Sequence, residues 1–208
     1  MKNKLIIVAG CSGSGKSTVA KQIKNSFRKN QAQIICIDRF YKKNTTVMPK
    51  VRRTGHPNFD HPKAFDWTLL RRSLQALIDN KPTMAPVYDY TKHCRKAKRQ
   101  LIKPTKIIIF EGFLSLFDER LSDMAELKIY VDTDIEECFK RRLERDQKHR
   151  GRTATSVKMQ WNETVVPMYE KYVKPRRWKA DIVLPWDRTN LKSIKYLIKA
   201  IKTRLGSR

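Results

Sequence analysis

Near the start of the chain, an apolar strand pattern runs directly into a glycine-rich turn and then into a helical pattern. Residues 5–9 are apolar throughout, and Gly10-Cys-Ser-Gly-Ser-Gly-Lys-Ser17 follows them. This segment matches the consensus G-x-x-x-x-G-K-[ST], in which backbone N–H groups surround phosphate oxygens and the next helix N-terminus adds positive charge. A flexible strand-to-helix turn is the alternative, but the complete motif in this context predicts binding of a nucleoside triphosphate. The predicted phosphate-binding residues are Gly10, Ser12, Gly13, Ser14, Gly15, Lys16, Ser17 and Thr18.

Short β-branched runs alternate with longer amphipathic stretches along the chain, which is typical of a parallel sheet flanked by helices. The predicted strands are 5–9, 33–37, 106–110, 127–131 and 181–184. The predicted helices are 15–29, 66–79, 134 to about 148, 154–172 and 190–204, with Asp66, Asp134 and Asn190 as N-caps. Because the strands are apolar on both faces, we expect an α/β fold with a doubly wound, parallel, five-stranded sheet.

Two segments interrupt this alternation. Residues 41–62 contain three prolines and one glycine and are expected to form a long surface loop. Residues 81–104 are predicted to form an inserted β-hairpin. Long insertions beside the strand ends are where α/β enzymes usually build substrate sites.

The chain is strongly basic, with 46 Lys and Arg residues against 20 Asp and Glu residues and a net charge of +26. This charge indicates anionic partners, such as phosphates, nucleic acid or a membrane surface, although a lysine-rich genome would produce the same excess. A hydrophobic fraction of 40% in 208 residues argues against disorder. No apolar run approaches the length of a membrane span or of a signal-peptide core, so we expect a cytoplasmic protein. The cysteines lack any C-x-x-C pair and are expected to be buried thiols; they are Cys11, Cys36, Cys94 and Cys138.

Two carboxylates follow predicted strands. Asp38 comes after the second strand, and Glu111 comes after the third. The carboxyl ends of parallel strands meet at one edge of a doubly wound sheet, so both side chains are expected near the γ-phosphate. Phosphoryl transfer to an alcohol needs one carboxylate near the metal and one near the incoming hydroxyl. Taken singly, either residue is as readily explained as a helix cap.

Further motifs resemble the uridine (uridine–cytidine) kinases of the P-loop phosphoribulokinase/uridine kinase family. The resemblance runs from residue 5 to about residue 190, and its F-D-H-P and Y-D-Y-x-x-H-x-R stretches are family-specific. The motifs are Asp38-x-Phe-Tyr41, Asn58-Phe-Asp-His-Pro-x-Ala-Phe-Asp66, Tyr88-Asp-Tyr-x-x-His-x-Arg95, Phe110-Glu-Gly112, Arg141-Arg-x-x-Arg-Asp146, Arg150-Gly-Arg152, Gln160 and Lys179-Ala-Asp-Ile-Val-Leu-Pro185. The resemblance implies a fold of the P-loop nucleoside/nucleotide kinase type, as a single domain over 1–208 with a hairpin at 81–104 and a helical lid at about 141–160.

For phosphoryl transfer, the resemblance implies that Asp38 is the general base for the nucleoside 5′-hydroxyl. Lys16 would contact the β- and γ-phosphates, and Arg145 would approach them from the lid. Ser17 and Glu111 would hold Mg²⁺. ATP is the expected phosphate donor, and GTP is left open.

For the nucleoside, the resemblance implies residues that hold the ribose diol, read the pyrimidine edge, pack on the base and close over the substrate. A buried diol needs both a hydrogen-bond acceptor and a donor, which a carboxylate and a guanidinium supply together. Asp60 and Arg142 would hold the ribose diol, and Tyr88 and His93 would read the pyrimidine edge. Phe59 and Tyr90 would pack on the base, and Arg152 and Gln160 would close over the substrate.

The leading hypothesis is therefore ATP-dependent phosphorylation of uridine, and of cytidine, for pyrimidine salvage. A kinase for another ribose-containing metabolite, such as nicotinamide riboside, is the first alternative. A basic P-loop protein that binds nucleic acid non-specifically, with weak kinase activity, is the second. The family also implies a homo-oligomer, a tetramer. One departure from the family pattern is the stretch from Pro185 to Asn190, which lacks the glycine usual near the adenine and leaves the choice between ATP and GTP open.

Overall fold

The computed structural model describes residues 2–43, 47–89, 94–187 and 190–205. Five parallel strands form one sheet: β1 Lys4–Gly10, β2 Ala32–Cys36, β5 Ile107–Gly112, β6 Leu127–Asp132 and β7 Ile182–Pro185. Their order across the sheet is β2-β5-β1-β6-β7. The prediction of a doubly wound, parallel, five-stranded sheet is confirmed.

Helices cover both faces of this sheet, which explains why its strands are apolar on both faces. Alternate residues of β1 belong to different cores: Leu5 and Ile7 pack on one face, and Ile6 and Val8 pack on the other. The helices are α1 Lys16–Asn25, α2 Trp67–Ile78, α3 Glu119–Asp123, α4 Ile135–Arg150, α5 Ala154–Gln160, α6 Val166–Met168 and α7 Leu191–Arg204.

The three predicted N-caps are confirmed. The side chains of Asp66, Asp134 and Asn190 each accept hydrogen bonds from backbone N–H groups in the first turn of α2, α4 and α7. Such caps satisfy donors that a helix leaves without an internal partner. The polar residues visible in the sequence therefore determine where these helices begin.

Two predicted helices differ from the structure. Helix α1 ends at Asn25 rather than at residue 29. Directly after its last residue, the Ser26 hydroxyl donates a hydrogen bond to the Ile23 carbonyl. The expected helix 154–172 contains two π-helical turns, Trp161–Val165 and Tyr169–Val173. Pro167 lies between them and has no N–H to donate, so regular α-helical hydrogen bonding cannot continue through this segment.

Strands β3 Thr83–Asp89 and β4 Cys94–Ile102 form a separate antiparallel pair inside the segment predicted to be a hairpin. The Arg95 guanidinium donates to the Phe40 carbonyl over 3.1 Å and pairs with the Asp66 carboxylate at 3.4 Å. These contacts hold the antiparallel pair against the carboxyl edge of the main sheet. Within the described ranges, no helix has the length and apolar character needed to cross a membrane.

Candidate active site

The loop between β1 and α1, residues 10–17, is enclosed on two sides. Gly13 and Gly15 have φ values of +86° and +92°, which L-residues with side chains rarely adopt. A Cβ on Gly13 would overlap the Cys138 carbonyl of α4, and a Cβ on Gly15 would overlap the Trp186 indole. The two glycines are therefore required both by backbone conformation and by close packing. The resulting loop leads directly into the N-terminus of α1, as a phosphate cradle requires.

Two side chains at the start of α1 face this loop and the neighbouring strand. The Lys16 ammonium lies 3.5 Å from the Cys11 carbonyl, so its side chain folds back over the loop. The Ser17 hydroxyl donates a 3.1 Å hydrogen bond to the carboxylate of Glu111, which is 6% exposed. Serine and carboxylate oxygens are ligands that Mg²⁺ prefers, and Mg²⁺ usually takes few protein ligands together with phosphate and water. The donor set therefore fits this ion.

Asp38 lies on a 3₁₀ turn, Ile37–Phe40, directly after β2. Glu111 was predicted to follow a strand ending at residue 110, but it lies inside β5, which continues to Gly112. Its Cα is in register with Cys36 of β2. Burial, with a smaller contribution from the Glu111 carboxylate, raises the pKa of Asp38 to about 6, and the Lys16 ammonium opposes the shift. A carboxylate with this pKa is an effective proton acceptor near neutral pH.

A hydrogen-bond network connects the segment before α2 to α5 and the turn after it. The Asp60 carboxylate accepts from the Thr164 hydroxyl over 2.6 Å and from the Gln160 amide over 3.4 Å. The side-chain oxygen of Gln160, Oε1, accepts from Arg142 over 2.8 Å and from Arg152 over 2.6 Å. The structure thus brings together the four residues predicted to hold the ribose and to close over the substrate. Sequence reasoning missed Thr164, which no family motif marked.

Arg142 and Arg145 lie on α4, the helix whose Cys138 carbonyl packs against Gly13 of the phosphate-binding loop. The Arg142 guanidinium is buried and donates to the Ser12 hydroxyl over 3.0 Å, so it spans from the network around Asp60 to the loop. The Arg145 guanidinium instead binds Asp146, at 2.9 Å from Nε. Burial and the Arg150 guanidinium lower the pKa of Arg145. Arg142, predicted to hold the ribose, lies 3.5 Å from the Asp146 carboxylate as well, so it and Arg145, predicted for the phosphates, are neighbours around that carboxylate.

Aromatic rings pack together between the 3₁₀ turn, the segment before α2 and the antiparallel pair. Tyr41 stacks on Phe65 at a centroid distance of 4.5 Å and lies 5.4 Å from Phe59 and 5.1 Å from Tyr88. Phe59 and Tyr88, both predicted to contact the base, thus meet around Tyr41. No role was predicted for Tyr41, although it stands in the Asp38-x-Phe-Tyr41 stretch. The predicted base contacts Tyr90 and His93 lie outside the described residues.

The segment after β7 packs against the same loop. The backbone N–H of Trp186 donates to the Asp132 carbonyl over 2.7 Å. The Thr133 hydroxyl contacts the backbone carbonyls of Ser14 and Trp186 at 2.9 and 2.8 Å. The stretch that departs from the family pattern therefore supports the phosphate-binding loop directly.

Comparison with known proteins gives a match over nearly the whole chain. The sequence profile of the Phosphoribulokinase / Uridine kinase family matches residues 5–193. A uridine kinase from Lactobacillus helveticus is 41% identical over 206 residues, covering 99% of this chain and 97% of that protein. A uridine kinase from Mycoplasma genitalium is 41% identical over 202 residues, covering 97% and 93%.

Solved structures agree in fold. The phosphoribulokinase from Rhodobacter spheroides superposes with a TM-score of 0.60 at 16% identity, over 91% of this chain and 73% of that chain. At this identity, the likeness shows the fold alone. The family profile and both relatives, in contrast, extend through every element that forms the site, and this chain therefore belongs to the phosphoribulokinase/uridine kinase family of kinases.

Proposed function

We propose that this nucleoside kinase transfers the γ-phosphoryl group of ATP to the 5′-hydroxyl of uridine. The observation that carries the proposal is the Gln160 bridge, which joins the Asp60 carboxylate to the Arg142 guanidinium. An acceptor and a donor side by side match the two hydroxyls of a ribose. The 41% identity to proteins named uridine kinase supports a pyrimidine nucleoside as the substrate.

In this proposal, Asp38 accepts the proton of the 5′-hydroxyl while the hydroxyl oxygen forms its bond to the γ-phosphorus. The bond from that phosphorus to the β,γ-bridging oxygen breaks, and ADP leaves with the electron pair. Lys16 and Arg145 stabilise the negative charge on the transferring group. Mg²⁺ held by Ser17 and Glu111 would supply further charge neutralisation at the phosphates.

The aromatic group around Tyr41 contributes binding rather than chemistry. Phe59 and Tyr88 are proposed to contact the base, with Tyr90 and His93 completing that contact. Flat apolar rings bind a base through stacking, and hydrogen bonds to its edge distinguish one base from another. Arg152 and Gln160 are proposed to close over the bound nucleoside, and closure of a segment at about 141–160 would exclude water from the γ-phosphate.

The same proposal includes cytidine as a second substrate, a place in pyrimidine salvage, and a cytoplasmic single-domain enzyme over 1–208. A tetramer and the acceptance of GTP are further expectations from the family. The basic surface would attract nucleic acid non-specifically, and positive potential near the site would also steer an anionic nucleotide inward.

The decisive experiment measures ADP release from ATP with four separate acceptors: uridine, cytidine, nicotinamide riboside and ribulose 5-phosphate. We expect turnover with uridine and cytidine and at most trace turnover with the other two. Asp38→Asn should abolish turnover while leaving the Kd for uridine within a few-fold. Absence of turnover with either pyrimidine nucleoside would refute the proposed function.

A further inference from the structure

One fully buried carboxylate in α4 is surrounded by guanidinium groups. The Asp146 side chain is 0% exposed. Its Oδ1 lies 2.9 and 2.8 Å from two nitrogens of Arg145 and 3.4 Å from Arg150. Its Oδ2 lies 3.5 Å from Arg142 and 3.5 Å from Arg152. Four arginines therefore share the two oxygens of a single carboxylate.

The chain assembles this group from a short stretch of sequence. Arg142, Asp146 and Arg150 are four residues apart and lie on one face of α4. The helix then ends at Gly151, whose φ of +61° turns the chain back. The Arg152 N–H can therefore donate to the Asp146 carbonyl over 3.1 Å, and its guanidinium also reaches the Asp146 carboxylate.

The group carries more positive charge than its carboxylate neutralises. Four guanidiniums against one carboxylate leave an excess of three positive charges. Positive charges this close together repel one another, and an anion that joins the group relieves that repulsion. Water screens part of it, because Arg145, Arg150 and Arg152 are partly exposed. The contact of Arg142 with Ser12 places the group beside the phosphate-binding loop, where the anionic end of a nucleoside triphosphate would arrive.

We propose that Asp146 is a positioning residue that holds Arg145, with Arg150 beside it, in place to receive the transferring phosphoryl group; Arg142 and Arg152 are also anchored by Ser12, Gln160 and Ser156. The inference deepens the proposed function and rests on it. Asp146 itself touches neither the nucleotide nor the metal in this proposal; it acts through the arginines. Arg145 makes the shortest contacts with Asp146, so it is restrained to one orientation before substrate binds. Preorganised donors of this kind lower the barrier because they need little rearrangement during the reaction.

The test compares Asp146→Asn with wild type in steady-state kinetics, with thermal unfolding as the check on folding. The amide keeps the shape but loses the charge that orders the arginines. We expect kcat to fall by about 10- to 100-fold, by analogy with the loss of activity when a partner that orients a metal-ligating residue is mutated. The KM for uridine and the Mg²⁺ concentration for half-maximal activity should stay within about twofold. The matched control is Glu137→Gln, which removes the Arg141 partner elsewhere on α4 and should leave kcat unchanged.

Arg150→Gln provides a second variant that keeps the proposal testable if Asp146→Asn fails to fold. Arg150 is half-exposed, at 46%, so its replacement should leave folding intact. We expect a smaller loss of kcat, with the Mg²⁺ requirement unchanged. An unaltered kcat in both variants would refute the positioning role. So would a raised Mg²⁺ requirement in Asp146→Asn with kcat restored at saturating Mg²⁺, because that pattern indicates a metal ligand.

The two proposals fail in different ways. The kinetics of both variants are measured with whichever of the four acceptors the wild-type protein phosphorylates. If the wild-type protein does not phosphorylate uridine, that result counts against the proposed function alone. Calorimetric titration with ATP, without acceptor, adds a readout independent of turnover. We expect Asp146→Asn to bind ATP within about threefold of wild type, and loss of ATP binding in a folded variant would overturn the positioning role.

Discussion

The Ser17 hydroxyl donates a 3.1 Å hydrogen bond to the Glu111 carboxylate and so joins the first turn of α1 to the end of β5. The two residues are 94 positions apart in sequence. They meet because β1 and β5 are parallel neighbours, which brings the loop after β1 alongside the carboxyl end of β5. Both side chains present hard oxygen donors of the kind that Mg²⁺ prefers.

Replacing Glu111 with Gln should weaken the use of Mg²⁺. The amide removes the negative charge from the pair while keeping its size. We expect the Mg²⁺ concentration for half-maximal activity to rise about tenfold or more. The measurement is ADP release against Mg²⁺ concentration, with Glu126→Gln as the control, because Glu126 pairs with Lys4 at the other end of the sheet. An unchanged Mg²⁺ dependence would show that Glu111 is not a metal ligand.

Activity should fall in acid with the ionisation of Asp38. A general base must be deprotonated, and the pKa of Asp38 is raised to about 6. Below that pH, kcat/KM should decrease about tenfold per pH unit, because the fraction of ionised carboxylate decreases in that way. The measurement is kcat/KM for uridine between pH 5 and 8. An acid limb centred near pH 4 would indicate an unperturbed carboxylate and contradict the assignment.

The same pKa predicts that ionised Asp38 destabilises the folded chain. The folded state binds a proton at Asp38 more tightly than the unfolded state does, so this group's contribution to stability decreases as pH rises from about 4 to about 6. Asp38→Asn should therefore raise the Tm by a few degrees at pH 7.5. At pH 4, where Asp38 is protonated in the folded state of wild type and pays no penalty for a buried charge, the difference should be much smaller. Differential scanning calorimetry at both pH values tests this; a lower Tm at pH 7.5 would disagree with it.

Asp60→Asn should reduce selection for ribose over deoxyribose. The variant keeps a side chain that can contact Thr164 but loses the charged acceptor for a sugar hydroxyl. We expect kcat/KM for uridine to fall about 10- to 100-fold. The value for 2′-deoxyuridine should change far less. The control is Asp123→Asn on the exposed side of α3. Equal losses for both nucleosides would argue against a contact with the 2′-hydroxyl.

Gly151→Ala should cost both stability and activity. A Cβ at Gly151 meets no atom within 4 Å, so the cost arises from its φ of +61° and should be about 1 kcal/mol. Gly55→Ala, with a φ of +67° and equally open space, is the matched control. Both variants should lower the Tm, but only Gly151→Ala should lower kcat, because only Gly151 directs Arg152 back to Asp146. A similar kcat in the two variants would contradict this.

Local patterns in the sequence predict the parts of this protein that depend on nearby residues. The strand–loop–helix arrangement around residues 10–17, the five strands and the caps Asp66, Asp134 and Asn190 are all confirmed, since each depends on residue spacing within a short stretch of chain. The family is also identified from its motifs alone and is confirmed by the comparisons. Asp38 and Glu111 could be assigned to the same edge of the sheet because the carboxyl ends of parallel strands meet there.

Only the tertiary structure decided which residues from distant segments meet. The sheet order β2-β5-β1-β6-β7, the Gln160 bridge between Asp60 and Arg142, and the contact of Trp186 with Gly15 all join segments far apart in sequence. The π turns on either side of Pro167 also escaped prediction, because a polar–apolar pattern does not distinguish them from an α-helix. The four arginine partners of Asp146 are close to it in sequence, but they meet its carboxylate only through the geometry of α4 and the turn at Gly151. Periodicity and motifs report local conformation, whereas these contacts depend on how whole elements pack.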